Sequence, residues 1–376
     1  MTTRYAGADL AILSNESLKP HTTFKIGGPA RFFSAVEGPD QLRPALAFGR
    51  QEKAPVMVLG GGSNVLISDR GFDGLVVHPA SEGIEEIATE GERVRLQINA
   101  GEPWDRAVEY TVSRGWWGIE NLSHIPGQSG AALVQNIGAY GQQLSDTFQS
   151  AEVFELSSGQ VKKLSAPGCG LGYRRSIFNS SRKGEFFILT LELKLQKDRN
   201  PNLSYRDVKA WFEESGSHTP AQGEIRAAII AIRDHKFPYP REERGGNAGS
   251  FFKNATLTAA EYQSLEARLA SRFGPGALSR LQEHGRRSRN EEPVRVPAAF
   301  LIDICGLKGF RSGRAQVNPT QPLVIVNLGG ATAEDVMQVA KRVRGTVYRE
   351  TGLKLDLEPE LVGFSSGEIG HYLSFQ

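Results

Sequence analysis

The feature that most constrains the fold is a glycine loop that directly follows a predicted strand. Residues 55–59 are apolar and strand-like, and they lead into Gly60, Gly61, Gly62, Ser63 and Asn64. Such a loop can direct successive backbone N–H groups at an anion such as a pyrophosphate. A doubly wound dinucleotide-binding fold would need a third glycine and a helix at this point. Val65 takes that place and residues 65–69 continue as a strand pattern, so we exclude a Rossmann domain.

A second run of small and amide residues extends from residue 125 to residue 141. Small residues let the backbone approach a large flat ligand, and the amide side chains can form hydrogen bonds with it. Two loops of this kind indicate one extended ligand. The first loop alone is equally compatible with a hairpin that binds no ligand. The candidate ligand residues of this run are Ile125, Pro126, Gly127, Gly130, Asn136, Gly138, Ala139 and Tyr140.

Length and charge limit the class of protein. The 376 residues are enough for two or three domains, and 39% hydrophobic residues can build ordinary cores. A net charge of +2 is too small for a general nucleic-acid or membrane-surface partner. No apolar run reaches the length of a membrane span, and Cys169 and Cys305 form no disulfide framework. We therefore expect a cytoplasmic protein without membrane insertion or nucleic-acid binding.

Periodicity indicates a mixed α+β chain. Helical spacing occurs at 40–49, 103–115, 224–234, 259–273 and 334–348, with a capping box from Thr258 to Glu261. Residues 187–195 alternate as a strand with one buried and one wet face. A polar break at 197–202 suggests a domain boundary. We therefore predict a C-terminal domain at 201–363, and the sequence leaves open whether the tail at 364–376 packs back on the first domain.

Four further blocks stand in a definite order with the two loops. They are 21–28 (His-Thr-Thr-Phe-Lys-Ile-Gly-Gly), 172–174 (Gly-Tyr-Arg), 246–254 (Gly-Asn-Ala-Gly-Ser-Phe-Phe-Lys-Asn) and 357–360 (Leu-Glu-Pro-Glu). With 60–64 and 125–141 they resemble the type I UDP-N-acetylenolpyruvoylglucosamine reductases, the MurB flavoenzymes of bacterial cell-wall synthesis. The resemblance covers about residues 21–363.

The resemblance implies a fold, a cofactor and a reaction. The fold would be a two-lobed FAD-binding region of the vanillyl-alcohol-oxidase/PCMH type, with lobes at 1–80 and 81–200, followed by a smaller α+β substrate-binding domain. FAD would be bound non-covalently, with NADPH as the hydride donor. The reaction would reduce the enolpyruvyl ether of UDP-N-acetylglucosamine to the lactyl ether of UDP-N-acetylmuramate, with hydride passing from flavin N5 to the methylene carbon. We expect a monomer.

The resemblance also implies three catalytic residues. Arg174 is the match for an arginine whose permanent charge suits a carboxylate that gains charge. Ser250 is the match for the proton donor to carbon, and Glu360 for the carboxylate that works with the arginine. Without the resemblance, Arg174 is an ordinary surface arginine, Ser250 is a loop serine, and Glu358 competes with Glu360.

Tyr205, Lys236, Asn254 and Gln321 are the residues that the resemblance assigns to the UDP part of the substrate. A lysine and amide side chains suit a diphosphate and a uracil. A second tyrosine of the family has no clear counterpart in residues 286–297. The seven histidines show no metal-ligand spacing, and we expect no bound metal.

Two other functions share the glycine loops. One is another FAD-dependent oxidase of the same superfamily, which would not need the Ser250 and Glu360 blocks. The other is a non-catalytic protein that binds flavin or a nucleotide sugar. Turnover of NADPH and the enolpyruvyl substrate by a yellow protein separates these possibilities.

Overall fold

The computed structural model describes residues 4–7, 10–216, 219–236, 239, 245–286 and 293–375. The strands in chain order are β1 (Arg4–Gly7), β2 (Leu10–Ser17), β3 (Pro29–Val36), β4 (Val56–Val58), β5 (Val65–Ile67), β6 (Phe72–Pro79), β7 (Ile84–Glu90), β8 (Arg93–Asn99), β9 (Gly138–Ala139), β10 (Gln142–Gln143), β11 (Phe148–Glu155), β12 (Val161–Ser165), β13 (Phe186–Gln196), β14 (Ala255–Leu257), β15 (Val294–Val296), β16 (Arg311–Ser312), β17 (Ala315–Val317), β18 (Ile325–Asn327) and β19 (Glu360–Val362). The α-helices are α1 (Pro39–Gln51), α2 (Trp104–Ser113), α3 (Ser129–Gln135), α4 (Arg206–Glu214), α5 (Gln222–Lys236), α6 (Ala259–Phe273), α7 (Pro275–Arg286), α8 (Ala298–Ile304), α9 (Ala333–Thr351) and α10 (Ser366–Leu373). This mixture confirms the predicted α+β class.

The chain forms two compact units. Unit 1 comprises Met1–Glu16, Ala30–Gly62 and Phe72–Tyr239, and unit 2 comprises Ser17–Pro29, Ser63–Gly71 and Pro240–Gln376. The helices α4 and α5 lie in unit 1, where their apolar stripes share a core with Trp117 and Tyr140. The domain limits predicted at residues 80, 200 and 363 stay predictions.

The first lobe of unit 1 is a five-stranded sheet in the order β1-β2-β3-β6-β4. Strands β3, β6 and β4 run parallel, so each connection must cross over the sheet, and α1 makes the crossing from β3 to β4. Leu42, Ala45 and Leu46 of α1 pack on Leu75 and Val77 of β6. The crossover leaves the first glycine loop immediately after β4.

The second lobe of unit 1 is an antiparallel sheet in the order β12-β11-β13-β8-β7. Helices α2 and α3 cover one face, with Trp104, Val108 and Leu133 in that core. The helix predicted at 103–115 is confirmed as α2, and Gly115 has the left-handed φ of +68° expected beyond its end.

Strand β13 corrects the prediction of one buried and one wet face. Phe187 packs in the core of the first lobe, whereas Leu191 packs in the core under α2. The pairing register shifts beside Thr190, so a β-bulge reverses which residues face each core. Glu192, predicted to be wet, is only 7% exposed. A strict period of two fails here because β13 is central and apolar layers cover both of its faces.

Unit 2 is built around helix α9. Val336, Val339 and Val343 of α9 are buried in one core with residues of α6, α8 and β17. Helix α6 has the predicted bounds, and the Thr258 capping box at its start is confirmed. The tail forms α10, which buries Tyr372 in the same core, and the guanidinium of Arg344 donates to the Leu373 carbonyl.

No helix within the described part of the chain combines the length and the apolar character that crossing a bilayer requires.

Candidate active site

Unit 1 packs the two glycine-rich loops against each other. A Cβ atom added to Gly61 would lie 2.6 Å from the Cα atom of Gly127, closer than real Cβ atoms come to backbone. A Cβ atom added to Gly60 would lie 3.0 Å from the Cβ atom of Ala131. Glycine is therefore required here by the approach of two backbones. The two loops that the sequence assigns to one ligand lie side by side.

A side-chain bridge joins the same two loops. The ring Nδ1 of His78 lies 2.7 Å from the carbonyl oxygen of Leu59 and therefore donates its proton to that oxygen. The side-chain nitrogen of Gln128 donates to the Pro79 carbonyl over 2.9 Å and lies 3.3 Å from Nε2 of His78. Burial lowers the pKa of His78, which favours the neutral ring that this arrangement needs.

The side chain of Gln128 tests whether FAD fits between the two loops. The Oε1 atom of Gln128 is buried, and it has no hydrogen-bond partner among the residues that the structure describes. A Cβ atom on Gly60 would lie 3.4 Å from this oxygen, which places it at the first loop. FAD has hydroxyl and ring N–H donors that such a buried acceptor can bind. The glycine contact and this acceptor therefore fit a large cofactor with donor groups.

The second loop owes its shape to left-handed backbone. Asn136 has φ of +41°, which asparagine tolerates, and Tyr140 has φ of +48°, a conformation that costs most other residues ~1–2 kcal/mol. The side chain of Asn136 donates to the Gly172 carbonyl over 2.9 Å and accepts the Ser145 N–H over 3.0 Å. Strained backbone held by such contacts is concentrated at functional sites. The eight candidate cofactor residues of this loop all lie in unit 1 and are Ile125, Pro126, Gly127, Gly130, Asn136, Gly138, Ala139 and Tyr140.

Arg174 lies at the corner of a two-residue turn beside this loop. Gly172 and Arg175 exchange backbone hydrogen bonds of 2.9 and 3.1 Å across the turn. Arg174 has φ of +52°, a value usually found for glycine or asparagine. Its carbonyl accepts from the side chain of Asn179, which also donates to Gln135. The turn is therefore fixed to the end of the second cofactor loop.

Three of the candidate substrate and cofactor residues meet at the start of α4. The rings of Tyr205 and Tyr140 are edge-to-face with centroids 5.2 Å apart, and the ammonium of Lys236 lies 5.4 Å from the Tyr140 ring. Lys236 also forms an ion pair with Asp207. Burial raises the pKa of Tyr140 to about 12, so this phenol stays protonated at neutral pH. Unit 1 brings Tyr140, Tyr205 and Lys236 together.

Unit 2 joins the end of the first glycine loop to the strand of Glu360. Ser63 and Asn64 lie in this unit, and the Asn64 side chain donates to the Glu358 carbonyl over 3.2 Å. The Glu360 N–H donates to the Asn64 carbonyl over 3.0 Å, and β19 continues parallel to β5. A candidate cofactor residue and a candidate catalytic residue are therefore neighbours.

Ser250 lies in a loop that pairs with the same segment. Its neighbour Phe251 is buried and accepts the Glu358 N–H over 3.0 Å, and Phe252 bridges to Leu357. On the other side, a Cβ atom on Gly246 would collide with the Thr23 carbonyl at 1.8 Å. The block at 21–28 thus supports the serine loop by close backbone packing.

Gln321 and Asn254 flank this loop. The Phe251 N–H donates to the Leu323 carbonyl over 2.8 Å, which places the turn of Gln321 beside the serine loop. The Asn254 side-chain oxygen accepts the Ala298 N–H at the start of α8 over 3.1 Å. Asn254 therefore already has one structural role.

Arg174 belongs to unit 1, and Ser250 and Glu360 belong to unit 2. The structure brings the segments of Ser250 and Glu360 together. The convergence of Arg174 with them stays a prediction.

The sequence reasoning missed a charged cluster around His124. Asp105 accepts the His124 N–H, and Arg233 donates to the His124 carbonyl. Arg226 forms an ion pair with Asp105. The only local signal is the spacing of Arg226 and Arg233, seven residues apart on one face of α5. The contact between Arg226 and Asp105 joins residues 121 apart in sequence, so no local pattern predicts it.

Two remaining expectations from the sequence concern a second tyrosine and a bound metal. Within residues 286–297, where a second tyrosine of the family was sought, residues 287–292 lie outside the described residues. Among the described residues there is no group of three or more histidine, cysteine, aspartate or glutamate side chains that could hold a metal ion.

Comparison with known proteins identifies the family that this chain resembles. The family model described as UDP-N-acetylenolpyruvoylglucosamine reductase, C-terminal domain, matches residues 239–362, and an FAD binding domain model matches residues 30–165. The reductase of Pseudomonas putida is 38% identical over 92% of this chain and 97% of its own length. That of Flavobacterium johnsoniae is 36% identical over 94% of this chain and 100% of its own length.

A solved structure gives the same result. The crystal structure of UDP-N-acetylenolpyruvylglucosamine reductase from Thermus caldophilus matches with a TM-score of 0.63 and 26% identity, covering 96% of this chain and 100% of that one. The reductase C-terminal model covers the Ser250 and Glu360 blocks, which a related oxidase would not need, so this match does not favour that alternative. The chain belongs to the UDP-N-acetylenolpyruvoylglucosamine reductase family.

Proposed function

We propose that this chain catalyses the NADPH-dependent, FAD-mediated reduction of UDP-N-acetylglucosamine enolpyruvate to UDP-N-acetylmuramate. The observation that carries the proposal is the hydrogen-bonded arrangement in unit 2, where the Ser250 loop, the Glu360 strand and Asn64 are joined through residues 357–360. Family membership supports the reaction, and this arrangement joins the segments of two of the three proposed catalytic residues.

The cofactor is held by the two glycine-rich loops. When bound, FAD supplies the redox step, accepting hydride from NADPH and delivering it to the methylene carbon of the enolpyruvyl group. Gly60, Gly61 and Gly127 allow the close approach of backbone, and the Gln128 side chain offers its acceptor oxygen. Residues 62–64 continue the first loop.

The catalytic residues act on charge and on a proton. Hydride addition places negative charge on the adjacent carbon and its carboxylate, which the guanidinium of Arg174 stabilises. The Ser250 hydroxyl then gives its proton to that carbon. A serine is a weak acid, so its developing alkoxide must be stabilised by its neighbours. Glu360 acts with Arg174 on the enol intermediate.

The nucleotide part of the substrate binds at Tyr205, Lys236, Asn254 and Gln321. Lys236 provides a point charge for the diphosphate, and in the structure Asp207 holds this ammonium in an ion pair. Tyr205 is 42% exposed at the position before α4, where its ring contacts that of Tyr140. Asn254 donates through its side-chain nitrogen, because its oxygen caps α8.

The partners are two small molecules, the enolpyruvyl nucleotide sugar and NADPH. We expect the enzyme to act as a monomer in the cytoplasm, where both small molecules occur. Size-exclusion chromatography with light scattering measures the oligomeric state.

Measurement of each half-reaction by stopped flow tests the proposal. Ser250→Ala should leave flavin reduction by NADPH nearly unchanged and slow flavin reoxidation by the enolpyruvyl substrate by ~10² or more. Ser264→Ala is the matched control, because Ser264 is exposed on α6 and bonds only its own helix among the contacts described. Equal losses in both half-reactions would remove Ser250 from the proton-transfer role. A native protein that takes up no FAD would refute the function as a whole.

A further inference from the structure

The backbone of His124, one residue before the second cofactor loop, has an uncommon conformation. Its φ of +61° lies in the left-handed region that few non-glycine residues adopt. The following residues, Ile125, Pro126 and Gly127, are the start of the proposed flavin-binding loop. Whatever fixes His124 therefore also fixes the direction in which this loop begins.

Charged side chains hold both backbone groups of His124. The N–H donates to the carboxylate of Asp105, in the first turn of α2. The carbonyl accepts from Nε of Arg233, on α5, over 2.9 Å. The ring contributes further contacts, with Nε2 lying 3.0 Å from Asp234 and the ring centroid 4.4 Å from that of Tyr239. Two helices thus define the position of one residue.

Asp105 is itself held in place by Arg226. The guanidinium donates to both carboxylate oxygens over 2.7 and 2.9 Å, and the two side chains are 12% and 23% exposed. Burial alone would raise the pKa of Asp105, but the hydrogen bonds from Arg226 and from the His124 N–H overcome it and hold the pKa below its usual value. Asp105 therefore presents a fully charged acceptor to His124.

Helix α2 holds the other end of the same loop through its adjacent residue. The Trp104 N–H donates to the Gly127 carbonyl over 2.9 Å, and Pro103 bridges to Gln128. Two successive residues of α2 therefore bind the loop at Gly127 and at His124. An ordinary ion pair that only stabilised the fold would not need to contact the backbone of this loop.

We propose that Asp105 and Arg226 are positioning residues for FAD, which clamp His124 and thereby set the geometry of the loop at 125–127. The proposal rests on the assignment of this loop to FAD. It does not require the identity of the enolpyruvyl substrate, because its consequences concern cofactor retention.

The test measures release of FAD from the purified holoprotein on dilution, by the rise in flavin fluorescence, together with the flavin absorption spectrum and the melting temperature. Asp105→Asn keeps an acceptor for the His124 N–H but removes the charge that Arg226 binds. Asp105→Ala removes both. We expect FAD dissociation constants to rise in the order Asp, Asn, Ala, by about tenfold or more for Asn, with an altered flavin spectrum.

Glu192→Gln is the matched control. Glu192 is a buried carboxylate of the same unit that accepts from Arg95 over 2.6 Å and from Lys163 over 3.1 Å. It lies in β13, and these partners lie in β8 and β12 of the same sheet. Its loss should lower the melting temperature while the folded protein retains FAD within about twofold of the native value.

Two results would overturn the proposal. One is an Asp105→Asn protein that retains FAD as the native protein does. The other is a Glu192→Gln protein that loses FAD in proportion to its loss of stability, since the effect would then be general. If Asp105→Ala fails to fold, Asp105→Asn decides. A native protein that binds FAD but does not reduce the enolpyruvyl substrate refutes the proposed function and leaves the clamp intact.

Discussion

Replacement of Gly61 by alanine tests whether the two cofactor loops meet as the structure shows. The added Cβ atom would lie 2.6 Å from Cα of Gly127 and 2.9 Å from the backbone nitrogen of Gln128. Carbon atoms in contact are ~3.5–4.0 Å apart, so the loops must separate by about 1 Å. Because both neighbours are backbone, no side-chain rotation can relieve the clash.

The cost of such overpacking is ~1–3 kcal/mol. If the loops must close again to bind FAD, the same cost appears in the binding free energy. At 1.4 kcal/mol per tenfold, the dissociation constant for FAD would rise roughly 5- to 150-fold. We therefore expect Gly61→Ala to lower the melting temperature and to release FAD on dilution. Differential scanning fluorimetry and flavin fluorescence measure these two quantities.

Gly223→Ala is the matched control for this substitution. Gly223 lies in the first turn of α5, in the same unit, and apart from its own helix an added Cβ atom would meet no atom of the described residues within 4 Å. Alanine is preferred to glycine in helices by up to ~1 kcal/mol, so this variant should be slightly more stable and should keep its FAD. A Gly61→Ala protein that matches the native protein in melting temperature and FAD affinity would refute the close backbone contact.

Two further predictions follow from strained backbone and from titration. Arg174→Gly should raise stability by about 1 kcal/mol, because glycine accepts the positive φ, while substrate reduction is lost. Arg175→Gly, one residue on, should not be stabilised and should keep activity, and urea unfolding with steady-state assays compares the pair. Hydrogen bonds from Lys162 and Ser158 lower the pKa of Glu155 to about 2. Because the folded pKa lies below the unfolded value, its stabilising contribution is present above pH 4.5 and is lost as the pH falls towards 2. Urea midpoints of the native protein and of Glu155→Gln should therefore differ at pH 7 and converge near pH 2, and a constant difference would contradict the assignment.

Much of the fold could be predicted from local patterns. Helix α6 begins with the Thr258 capping box and has the predicted bounds, and α9 differs from the predicted range by only a few residues at its ends. These elements are encoded within a few turns of chain, by apolar spacing and by caps. The candidate site was identified in the same way, as six blocks in order.

The central strand β13 shows where local patterns fail. Its sequence alternates, yet a bulge beside Thr190 exchanges its two faces, and Glu192 is buried by Arg95 and Lys163. The burial of a face depends on which layers cover the sheet, and that information lies in distant segments.

The sequence by itself determined the glycine loops, the motif blocks, the helices with their caps and, through resemblance, the family and its chemistry. The tertiary structure decided which of these segments touch. It placed Gly61 against Gly127, joined Asn64 to the strand of Glu360, and set Asp105 on the backbone of His124. The physical reason is that close packing and buried ion pairs form between residues far apart in the chain, so no short stretch of sequence carries their signal.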